Sequence, residues 1–146
     1  MKFLPIIGAL LISASPAAAG DYLYLRCKYS VDIVTTNTKT SKINEDRTID
    51  DTALLKIDFN KKTVLDTRSS AALGFTLQHE TMTIIQKVDD DEMKLNSVDK
   101  IELIPPYATS GSGSAISKSK NATRTYSYEG SCEEIDASVF DEAQSQ

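Results

Sequence analysis

The chain has 146 residues, with 16 basic side chains against 21 acidic ones and a formal net charge of −5. That balance argues against nucleic acid or an anionic membrane as a partner, because both call for clustered Lys and Arg. The length suits one domain burying roughly two-thirds of its unfolded surface.

Residues 1–19 read as a secretory signal. Lys2 supplies a positive start, Phe3 to Ala14 is an apolar run, Pro16 ends any helix, and Ala17-Ala18-Ala19 has the small-x-small pattern of a cleavage site. The apolar run is too short for a membrane anchor, which takes about 20 residues. Cleavage after Ala19 leaves an exported protein, periplasmic or extracellular, with no membrane span. It divides into a single β domain over 20–136 and a C-terminal tail over 137–146.

Two cysteines remain, Cys27 and Cys132. An oxidising compartment and an even count point to one disulfide. A zinc site would pair cysteines a few residues apart, whereas these stand near opposite ends of the domain.

From Tyr22 to Thr36 the chain alternates, with Leu23, Leu25, Cys27, Tyr29, Val31 and Ile33 on one parity. This is the period-two pattern of a half-buried strand, either one long strand or two in succession. Asn37 to Thr40 is a polar turn, and Ile43 to Ile49 is a weakly patterned return suited to an edge. Asp50-Asp51 punctuates the chain before a hairpin. Ala53, Leu55, Ile57 and Phe59 alternate up to Asn60-Lys61-Lys62, and Thr63 to Asp66 returns.

Thr67 to Gly74 is looser. Phe75, Leu77 and His79 then alternate, and Met82, Ile84, Gln86 and Val88 form another strand. Asp89 to Glu92 sits where a hairpin tip belongs. Met93 to Leu95 and Ile101 to Ile104 read as short strands ending at Pro105-Pro106, where pairing must stop. Ser110-Gly111-Ser112-Gly113-Ser114 has the composition of a flexible loop. The last strand places Tyr126, Tyr128, Gly130 and Cys132 on one face, after which Asp136 is placed to cap a helical turn through Val139-Phe140. The result is an all-β fold of roughly eight strands by the usual strand spacing. A barrel-like meander is favoured, with a two-sheet sandwich as the alternative that the sequence does not separate from it, either one closed by Cys27–Cys132.

Sites of chemistry are sparse. His79, the only histidine, lacks a nucleophile elbow and reads as a partly buried strand residue. Asp89 to Glu92 has no EF-hand spacing and reads as a solvated tip rather than a calcium site. Asp50-Asp51 with Asp58 or Asp66 is a candidate carboxylate pair of the kind that hydrolyses glycosides, which requires one of Asp58, Asp66, Asp89 or Glu92 to lie near another acid in a pocket. Lys118, Lys120 and Arg124 form a small basic group near the Gly/Ser segment, and Asn121-Ala122-Thr123 matches the N-glycosylation pattern. Tyr22 or Tyr24 is expected near Tyr126 or Tyr128, as an aromatic strip. Pro105, Pro106, Tyr107, Gly111 and Gly113 are the candidate binding loop. No catalytic residue, cofactor or metal ligand is assigned.

Taken together, Asp21-Tyr22-Leu23-Tyr24-Leu25-Arg26-Cys27-Lys28, Leu55-Lys56-Ile57-Asp58, Pro105-Pro106, Gly130-Ser131-Cys132 and Ser138-Val139-Phe140 resemble small exported proteins of marine picocyanobacteria. The resemblance implies a periplasmic or cell-surface address in a Gram-negative cell and carries over no catalytic or binding residues. The expectation is a non-enzymatic binding or interaction module of the cell envelope, taking a small ligand or an envelope protein. The alternatives are a small carboxylate-dependent hydrolase and a structural envelope protein that self-associates through a β edge.

Overall fold

The computed structural model describes residues 20–146, so the signal expected over residues 1–19 lies outside the described residues. Nine strands and one helix follow in order: β1 Tyr22–Asn37, β2 Ile43–Asp58, β3 Thr63–Asp66, β4 Leu73–Gly74, β5 Thr76–Gln78, β6 Thr81–Asp89, β7 Met93–Glu102, β8 Ala108–Ser117, β9 Ala122–Glu134 and α1 Ala137–Gln144. All form one antiparallel sheet in the order β4-β3-β2-β1-β9-β8-β7-β6-β5. Its two edge strands are sequence neighbours joined by Phe75, so the sheet has curled into a nearly closed barrel. This decides between barrel and sandwich, and closure is one way such folds protect their edges.

Several expected breaks are absent. β1 is one unbroken strand, and β2 runs straight through Asp50-Asp51 because β1 pairs with it from Tyr22↔Asp58 to Thr36↔Ile43. β7 is likewise continuous from Met93 to Glu102, held between β6 and β8. In each case pairing on a flank overrides a weak local pattern. The outer flank of β2 is covered by β3 only over Leu55–Asp58, so the edge expected for Ile43–Ile49 is present, lined with Glu45, Asp46 and Arg47. Asp89–Glu92 forms the expected tip: Asp90 Oδ1 accepts the amides of Glu92 at 2.9 Å and Met93 at 2.7 Å.

The disulfide is present. Cys27 and Cys132 face each other in register across β1 and β9, and both are buried. The Cys132 amide turns away to the carbonyls of Pro106 and Tyr107. Around the bridge lies an apolar floor of Leu23, Leu25, Ile57, Val64, Phe75, Met82, Leu103 and Tyr107, all inward-facing.

The C-terminal segment is not a loose tail. α1 docks back on the barrel, and Phe140 is 0% exposed with its ring centroid 5.7 Å from that of Tyr24. Asp136 occupies the N-cap position as expected, but its side chain makes no capping bond. Among the described residues no helix is long and apolar enough to cross a membrane.

Candidate functional site

Above its apolar floor the barrel is not filled. A cavity of about 340 Å³ is lined by Val31, Ala53, Leu55, Ile84 and Ile101, and by the polar groups of Tyr29, Asp66, Gln86, Asp99, Tyr126 and Tyr128. Ligand cavities run from roughly 300 to 1,000 Å³, mostly apolar with a few placed polar groups, so this one is of the small kind.

The wall is built by register. Tyr128 of β9 lies opposite Gly111 of β8, which lies opposite Asp99 of β7. With only hydrogen at position 111, the tyrosine lies flat over β8 and donates its hydroxyl to Asp99 Oδ1 at 2.7 Å. One row along, Tyr126 lies opposite Gly113, and Gly113 opposite Ser97. A β-carbon at Gly113 would stand 2.6 Å from the Tyr126 hydroxyl oxygen. On the other side of β9, Gly130 makes room for Tyr29, and the Tyr29 and Tyr128 rings tilt together at 4.9 Å between centroids. Three glycines thus seat three tyrosines.

Electrostatically the site has two halves. Arg68 spans the first: Nη1 donates to Asp51 Oδ2 at 2.8 Å, and Nη2 donates to Asp66 Oδ2 at 2.8 Å and to the Tyr29 hydroxyl at 3.0 Å. Its hydrogen bonds, first of all with Asp66, raise the pKa of the guanidinium, and its bond to Asp51 holds that carboxyl below the usual range. The second half has no cation among the described residues. Asp99 is partly buried, accepts from Tyr128, and forms no ion pair among the described residues. Burial pushes its pKa up, and burial followed by the nearby Asp99 raises that of Tyr128. The Ser97 hydroxyl, on a residue only 4% exposed, makes no hydrogen bond of full geometry, although it is near enough to Asp99 to ease its ionisation slightly.

The residues singled out in the sequence are dispersed. Gly111 and Gly113 are not in a loop: they belong to β8, a central strand between β7 and β9. Linker composition misleads there because the small residues make room for the tyrosine rings. Pro105 and Pro106 do lie in a turn, but Tyr107 is buried in the floor, at a φ of 50°, and presents nothing to a partner. His79 is exposed at the turn between β5 and β6 with a φ of 55°, not within a strand. Tyr22 and Tyr24 sit beside Lys56 and Phe140, whereas Tyr126 and Tyr128 pair with Ile33 and Val31. The aromatic contact across β1 and β9 is made by Tyr29 instead.

Of the candidate carboxylates, Asp58 is buried at the end of β2 and accepts the Lys61 amide, Asp66 is held by Arg68, and Asp89 and Glu92 lie at the β6–β7 tip. Lys118 pairs with Asp89 and Arg124 with Glu45, so two of the three basic residues serve hairpin ends. No group of three or more His, Cys, Asp or Glu among the described residues is arranged to hold a metal ion. A wider hollow of about 620 Å³ lies on the outer wall among Ser30, Asp32, Ser110, Ser112, Ser127 and Glu129. Its lining is mostly polar, whereas that of the interior cavity is mostly apolar.

Fold and cavity define a class: a single-disulfide antiparallel barrel with a glycine-seated tyrosine wall and a partly open interior. No family model, curated protein or solved structure matches this chain.

Proposed function

We propose that the protein is an exported, non-enzymatic binding module of the cell envelope that holds a small, partly apolar ligand inside its barrel. The observation that carries this reading is the 340 Å³ interior cavity, apolar below and polar along the β7–β9 wall. A barrel of this size ordinarily fills its interior with side chains or holds one small ligand. Here Gly111, Gly113 and Gly130 let the Tyr128, Tyr126 and Tyr29 side chains lie close against the strands, and the cavity lies beside them.

The carboxylate-hydrolase alternative has less support. Asp51 and Asp66 are both bonded to the Arg68 guanidinium, which favours the ionised form of Asp51, whereas glycoside hydrolysis needs a carboxylic acid kept protonated opposite a carboxylate. Self-association through the β2 edge is opposed by its charged residues, which are a common guard against edge pairing.

The test is native mass spectrometry of the protein purified from its own cells, beside the variant Ala53→Phe. Ala53 is buried on the cavity wall, so the larger ring fills the space. A small-molecule adduct on the wild type that is missing from the variant supports the reading. An adduct carried equally by both places the ligand elsewhere and ends it.

A further inference from the structure

We infer that the cavity takes an organic cation: an amine whose ammonium group meets Asp99 while its apolar body lies against the tyrosine wall and the aliphatic floor. The inference rests on the cavity being a ligand site and names what enters it. Asp66 and Asp99 line the cavity, Asp51 is bonded to the cavity residue Tyr29, and one cation, Arg68, serves Asp51 and Asp66. Asp99 has no cationic partner among the described residues, because the neighbouring Lys100 lies on the opposite face of β7. A partly buried carboxylate without a counter-charge is unfavourable, and a ligand cation relieves it.

The aromatic surroundings point the same way. Tyr128 donates to one oxygen of Asp99, and the rings of Tyr29, Tyr126 and Tyr128 line the same cavity. Electron-rich ring faces beside a carboxylate are the setting in which an ammonium ion is held by cation–π attraction and charge together. The Ser97 hydroxyl, near Asp99 and Tyr126 but without a hydrogen bond of full geometry, lies two residues along β7 on the same inward face. An anion would meet Asp99 unscreened. A neutral ligand would leave its charge unanswered.

Isothermal titration with three matched pairs tests this: butylamine and butanol, 2-phenylethylamine and 2-phenylethanol, tryptamine and tryptophol. The members of each pair share a body and differ in carrying an ammonium or a hydroxyl. At neutral pH the wild type is expected to bind at least one amine tenfold or more tightly than its alcohol. Asp99→Asn should abolish that preference, and Ala53→Leu should weaken both partners of the pair. Equal binding of amine and alcohol, blocked by Ala53→Leu, overturns the inference and leaves the cavity reading standing. A preference that survives Asp99→Asn, or binding untouched by Ala53→Leu, overturns it as well. If no amine binds, the inference falls, and the native adduct decides the cavity reading separately. The wild-type comparison needs no variant to fold.

Discussion

Tyr128 reaches Asp99 across an intervening strand, and the bond between them, at 2.7 Å, passes over Gly111. A β-carbon at Gly111 would clash with Asp99 Oδ1 and stand 2.6 Å from Tyr128 Cζ. Gly111→Ala is therefore expected to destabilise the fold by about 1–3 kcal/mol, the usual range for overpacking. Urea denaturation measures this. The penalty should shrink in a Tyr128→Ala background, where half of the obstruction is gone, and an equal penalty in both backgrounds would disprove the packing explanation.

The pH dependence of stability should show two carboxyls pulling in opposite directions. Burial raises the pKa of Asp99, so the folded state holds that proton more tightly. Its contribution is present below the ordinary carboxylate pKa and is lost as pH rises from there through the folded value. Asp51, lowered first of all by its bond to Arg68, does the reverse: its contribution is present above the ordinary value and lost as pH falls through the folded one. Asp99→Asn should therefore flatten the decline in stability on the alkaline side of the carboxylate range and leave the acid limb in place. Melting temperature against pH, for wild type and variant, gives both slopes.

Arg68 ties the segment between β3 and β4 to β1 and β2 through Tyr29 and Asp51. Its side chain is 52% exposed, so each of its ion pairs is worth at most about 1 kcal/mol. Arg68→Gln should therefore lower global stability only slightly. Amide hydrogen exchange over residues 67–73 should rise well above that of β1. Unchanged exchange there would show that Arg68 does not hold the segment.

Cys27 and Cys132 are 105 residues apart in sequence. Closing a loop of that length is worth about 4–5 kcal/mol in the chain-entropy account, and real bridges often deliver less. Reduction should lower the denaturation midpoint markedly, and Cys27→Ala with Cys132→Ala should reproduce the loss. Identical midpoints with and without reductant would show that sheet pairing alone fixes β1 beside β9.

Phe140 is fully buried between α1 and the barrel. Phe140→Ala is expected to cost about 3–5 kcal/mol, as for other buried aromatic truncations. Limited proteolysis should then cut near the C-terminus. Resistance equal to that of the wild type would mean that α1 stays docked without its anchor.

Much of the architecture was legible locally. Alternation from Leu23 to Ile33, the Asn60–Lys62 turn, the Asp89–Glu92 tip and the shared face of Tyr126, Tyr128 and Cys132 each depend on contacts within a strand or a tight turn. Period and turn chemistry report such contacts directly. Where the reading failed, a long-range partner had overruled the local signal. β2 continues through Asp50-Asp51 because β1 pairs with it, and Ser110 to Ser114 is a strand because β7 and β9 flank it. Phe140 gave a weak signal, since one buried ring on a short helix has no period to reveal it.

By itself, then, the sequence determined an acidic, threonine-rich all-β chain with its first and last strands joined by one disulfide, because pleat alternation and cysteine count are properties of the chain alone. The tertiary structure decided that the sheet closes into a barrel, and that Gly111, Gly113 and Gly130 lie under Tyr128, Tyr126 and Tyr29. It also left Asp99 without a cation among the described residues, while Arg68 serves Asp51 and Asp66. Those relations depend on which residues stand opposite one another across strands up to about a hundred positions apart, and register of that range is set only when the whole sheet pairs.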